Sequence, residues 1–212
     1  MTHSQFIRLS GWGMVLGAIA LLLTFLSDAQ IWISRYRLFS APTTSGNDLS
    51  QVLSEDVGGM RFLSAIILIT VGLLGLRARY GEQAGRAAKI ALGAGVVGGV
   101  AGVASNLLWT TGYEHGRSLM NFAMAVMFAG LFVFGLVALR AKPMPRGNGL
   151  PMLAGCWWPF IVIGGNVFHQ VTGQWLNVPF WPSFALFLSM SVFLAWLGYV
   201  LQSDAPPEPA VA

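Results

Sequence analysis

The 212 residues are 55% hydrophobic and only 9% charged, against about 25% charged in an average soluble domain. A chain so poor in charge cannot clothe a water-facing surface, and six spans of about 20 residues with short loops use nearly all of its length. The net charge of +4 would suit a nucleic-acid partner, but the twelve Lys and Arg residues are spread between apolar segments rather than gathered on one stripe, which argues for no nucleic acid and for the lipid bilayer as partner.

Six apolar stretches follow in order, at about 9–28, 60–78, 88–110, 120–140, 150–171 and 182–202. Each is long enough to cross a hydrocarbon core of about 30 Å, and each must be α-helical because lipid offers the backbone no hydrogen-bond partner. The expected fold class is therefore an all-α membrane protein, a six-transmembrane-helix bundle. Arg8, the first apolar run and Ser27-Asp28-Ala29 together resemble a cleaved signal segment. That run exceeds the usual length of about 7–15 residues, so it is read as a retained span.

Between the first two stretches, residues 29–59 form the one long loop, expected outside the cytoplasm. In it Asn47 can cap a short surface helix whose Leu49, Val52, Leu53 and Val57 recur at helical spacing. At the other end, residues 204–212 are Pro-rich without a packing face and are expected to be a disordered tail.

Direction comes from the loop cations. Arg8, Arg77, Arg79, Arg86, Lys89, Arg140, Lys142 and Arg146 fall on one side, and Arg35, Arg37, Arg61 and Arg117 on the other. The first side is read as cytoplasmic, with both termini there, as in a bacterial inner-membrane protein. Aromatic residues agree: Trp12, Trp196 and Tyr199 fall near the inner interface, and Trp32, Trp109, Trp175 and Trp181 near the outer one.

A sixty-residue correspondence groups the helices further. The segment from Phe122 resembles that from Phe62, and Asn106-Leu-Leu-Trp-Thr-Thr-Gly resembles Asn166-Val-Phe-His-Gln-Val-Thr-Gly. Asp28 falls at the equivalent point of the first span. The chain thus reads as three α-helical hairpin repeats, an arrangement found among transporters but equally suited to a structural bundle.

Two features bear on packing. In the third stretch, Ala91, Gly95 and Gly99 form one row and Ala94, Gly98 and Gly102 the next; small residues at a spacing of four let another helix approach, so this helix is expected at the bundle centre. Pro159 is expected to kink the fifth stretch.

Polar side chains concentrate at the outer helix ends, as Asp28, Asn106, Glu114, His115, Arg117, Asn121, Asn166, His169 and Gln170. Since such groups avoid hydrocarbon, a pocket open to the outer face is expected. Its candidate ligand-binding residues are Asp28, Asn106, Trp109, Asn166, His169 and Gln170. No catalytic residues are assigned, because no GxSxG elbow accompanies any serine. No metal site is assigned either, because no HExxH or comparable spacing occurs. The single cysteine, Cys156, excludes an intrachain disulfide and a CxxC pair. Cofactors stay unknown, although no pair of intramembrane histidines is present to hold haem.

The mid-membrane stretches lack the acidic group that ion coupling needs. The reading that follows is a non-catalytic accessory or small-ligand-binding bundle, possible as a homo-oligomer or with a membrane-complex partner. The alternatives are a small-molecule transporter built from the three hairpins and an integral membrane enzyme.

Overall fold

A computed structural model of the chain describes residues 2–38, 49–160, 164, 171, 172 and 180–204, with the backbone alone at 27–38, 49–59, 117 and 180–184. Among these residues six helices occur: α1 (His3–Leu38), α2 (Leu49–Tyr80), α3 (Arg86–Thr110), α4 (Gly116–Ala141), α5 (Leu150–Gly155) and α6 (Phe180–Ser203). Five segments are long and apolar enough to cross a membrane, namely His3–Leu26, Met60–Tyr80, Arg86–Thr110, Ser118–Ala141 and Ala185–Ser203. The protein is an all-α membrane bundle.

The fifth stretch enters as α5 and, after a bend at Cys156, continues as helix over 157–160. Pro159 explains the break, because its ring meets the carbonyl four residues back, that of Gly155, and supplies no N–H to it. The described residues on either side of this stretch pack at different places. Met152 lies against Gly135 near the end of α4, whereas Phe187, early in α6, stacks on Phe25, 22 residues into α1.

The helices form a closed ring in chain order. Each packs on its sequence neighbours, from α1 on α2 through to α5 on α6, and α6 returns to pack along α1. The start of α1 and the end of α6 meet at one end of the bundle, where Gly11 lies against Gly198 and Gln202. The interior is filled mainly by α2, α4 and α6, through Ile66, Ile69, Leu73, Met124, Phe128, Leu131, Met190, Leu194 and Leu197.

Two hairpins share one register. In α1–α2, Gly17 lies against Leu68 and Ile69; in α3–α4, Gly95 lies against Met127 and Gly130. Sixty residues before Met127 and Gly130 stand Ile67 and Thr70, which bracket the first contact.

Three expectations need revision. The stretch 29–59 is not one long loop with a short surface helix: α1 runs on to Leu38 and α2 starts at Leu49, leaving only 39–48 outside the described residues. At 1.5 Å per residue the 36 residues of α1 reach about 54 Å, well beyond the hydrocarbon. No Gly or Pro stands between Gly17 and Pro42 to stop it. Asp28 consequently lies within a helix rather than at its end, and Asn47 lies outside the described residues.

The second revision concerns α3, which stands on the ring's flank. Gly98 faces Met127 of α4 and Gly99 faces Thr70 of α2, while Ile90, Val97, Val100 and Leu107 on its remaining face are exposed. Small-residue rows mark close approach and not encirclement. The third is at the C-terminus, where Asp204 accepts a hydrogen bond from the Tyr80 hydroxyl at 3.0 Å and so belongs to the bundle; residues 205–212 lie outside the described ones.

Candidate functional site

Of the two candidates whose side chains are described, Asn106 and Trp109, Asn106 is the fully buried one. It stands one turn before the end of α3, and Ser105 beside it is also buried. The Asn106 amide donates through Nδ2 to the Met120 thioether of α4 at 3.4 Å, and its Oδ1 is buried with no donor among the described residues. A buried amide oxygen left without a donor costs about 1–3 kcal/mol. Asn106 thus carries an acceptor that no described residue satisfies.

Close to Met120, the carbonyl of Asn121 accepts a 3.4 Å hydrogen bond from the Trp158 indole N–H. Trp158 gathers the interior around itself. Its ring packs on Phe62 of α2, Phe128 of α4 and Phe187 of α6, at centroid distances of 6.3, 6.0 and 5.8 Å, and Phe187 in turn stacks on Phe25 of α1 at 3.6 Å. Offset and edge-on aromatic pairs each add about 0.5–1.5 kcal/mol beyond burial. Three helices thus meet this side chain, and α1 joins them through Phe187.

The polar atoms deeper in the bundle do not continue a path. The hydroxyls of Ser10, Thr24 and Thr70 donate to the carbonyls of Phe6, Ala20 and Ile66, four residues back in their own helices. The indole N–H of Trp157 and the hydroxyl of Ser191 are buried without partners among the described residues.

The other candidates scatter. Trp109 is 41% exposed in the last turn of α3, and its backbone lies against Gly116, where a Cβ would come within 2.6 Å of the Trp109 nitrogen. That close approach sets the tight α3–α4 turn, in which Gly112 takes φ 86°. Glu114 and His115 are exposed in this turn, with His115 edge-on to Tyr113 at 5.8 Å. They are not brought to Asn106. The side chain of Asp28 and all of Asn166, His169 and Gln170 lie outside what is described. Among the described residues no three His, Cys, Asp or Glu side chains are grouped to hold a metal ion.

Sequence reasoning passed over Trp158 and Met120. A usable sign was present: Trp prefers the membrane interface, yet Trp157-Trp158 falls well inside the fifth apolar stretch, where only a specific interior role accommodates it. Comparison with known proteins returns no match to this chain, whether among family models, curated proteins or solved structures.

Proposed function

We propose that the chain is a non-catalytic multi-pass protein of a bacterial inner membrane that binds a small amphipathic molecule at its outer end. Asn106 is the polar anchor of this site, and Asp28, Trp109, Asn166, His169 and Gln170 are its further candidates. The observation that carries the reading is the Asn106 carbonyl oxygen, buried and without a donor among the described residues; a ligand hydroxyl or N–H would satisfy it. The aromatic cluster around Trp158 favours a blind pocket over a passage. Both termini are assigned to the cytoplasm on the loop-cation bias.

Native mass spectrometry of the protein extracted in mild detergent tests this directly. The wild type is expected to retain a small molecule that Asn106→Leu loses while remaining folded and monodisperse. Retention unchanged in Asn106→Leu would overturn the assignment. A transporter is the second reading, favoured by the register that α1–α2 and α3–α4 share; it requires flux of the retained molecule into proteoliposomes.

A further inference from the structure

On α4, Val133, Leu136, Val137, Arg140 and Ala141 succeed one another at spacings of three, one, three and one residues, which places them along one side of the helix. With Leu139 they line a shallow depression of about 690 Å³, open on the side away from α4, which alone lines it. Val133, Leu136 and Leu139 are exposed on the outside of the bundle, in the hydrocarbon zone of a crossing helix. The depression is thus apolar along its length and carries a single charge, the exposed Arg140 in the last turn.

More cations follow directly. Lys142 caps α4 in the left-handed conformation, φ 49° and ψ 48°, ahead of Pro143, and Arg146 is exposed in the next turn. Among the described residues no carboxylate pairs with Arg140, Lys142 or Arg146; the one ion pair at this end joins Lys89 to Glu82. An apolar depression along the membrane depth, ending at the water interface in uncompensated cations, has the polarity of a phospholipid.

Charge selects the headgroup. A zwitterionic lipid brings an ammonium toward these three cations together with its phosphate, whereas an anionic lipid brings net negative charge. A guanidinium also offers a planar fork that matches two phosphate oxygens.

We propose that this depression binds one anionic phospholipid, its phosphate on Arg140 and its acyl chain against Val133, Leu136 and Val137. The site is separate from Asn106 and does not depend on any ligand there. Which face is cytoplasmic does not enter, since the site is defined by the leaflet that meets the Arg140 end of α4.

The purified protein is mixed with phosphatidylglycerol or with phosphatidylcholine of the same acyl chains, and bound lipid is counted by native mass spectrometry. One phosphatidylglycerol is expected to persist under conditions that strip phosphatidylcholine. Arg140→Gln is expected to weaken that retention roughly five-fold, the ratio of one lost charge near the surface. Leu136→Trp, which fills the depression and leaves every charge in place, is expected to weaken it as well, whereas Val97→Trp on the exposed face of α3 is expected to leave it unchanged. Equal retention of the two lipids, or retention insensitive to both Arg140→Gln and Leu136→Trp, would overturn the site.

Discussion

Gly11 and Gly198 face each other across α1 and α6 so closely that a Cβ on either would stand 2.7 Å from the carbonyl oxygen of the other. Backbone thus touches backbone where the last helix meets the first. Gly198→Val must push the two helices apart, and overpacking of this kind costs about 1–3 kcal/mol. Thermal unfolding in detergent is expected to show a lower midpoint for Gly198→Val and none for Gly164→Ala, whose Cβ meets nothing within 4 Å. A Gly198→Val protein as stable as wild type would contradict the closed ring.

Trp158 allows a graded test. Trp158→Ala removes the ring shared by Phe62, Phe128 and Phe187 and is expected to destabilise by about 3–5 kcal/mol. Trp158→Phe keeps an aromatic ring there and loses the bond to the Asn121 carbonyl; its smaller ring also leaves some space. It should therefore fall between Ala and wild type. Unfolding in sodium dodecyl sulfate with far-ultraviolet dichroism ranks the three, and equal loss in both variants would remove Trp158 from the centre.

Asn106 reverses the usual expectation for a buried residue. Because among the described residues Oδ1 has no donor and Nδ2 only a thioether acceptor, Asn106→Leu is expected to match or exceed the stability of the ligand-free wild type. Asn106→Asp puts a carboxylate at the same buried place and is expected to lower it. Denaturant titration of delipidated protein measures both, and a large loss in Asn106→Leu would mean that the amide already has a partner.

At the opposite end of the bundle, Tyr80→Phe retains the buried ring and deletes the hydroxyl that donates to Asp204. The expected loss is about 0.5–1.5 kcal/mol, matched by Asp204→Ala. A double variant that loses no more than either single one would identify the two groups as one interaction.

The helices were legible because apolar runs of membrane length have one structural solution in lipid. Close approach was legible in part, since Gly17 and Gly95 each lie against the next helix. What the residues could not convey was neighbourhood. The glycine rows of α3 announce two close approaches, at Met127 and Thr70, but the same rows would serve a central helix. Likewise Asn106 is recognisable as a polar residue near a helix end, whereas its burial against Met120 depends on a register between helices that no local pattern fixes. The helical run past Asp28 was misjudged because hydropathy marks where a helix leaves lipid, not where it stops.

Ring closure also orders the chain's own assembly. Trp158 arrives with the fifth apolar stretch and the partner of Gly11 only with α6, so the first four helices emerge from synthesis with Phe62 and Phe128 lacking their shared neighbour. Until the last helix is inserted, α1 has one flank unoccupied, and a truncation before Phe180 would leave a bundle open on the side where the N-terminal helix waits for it.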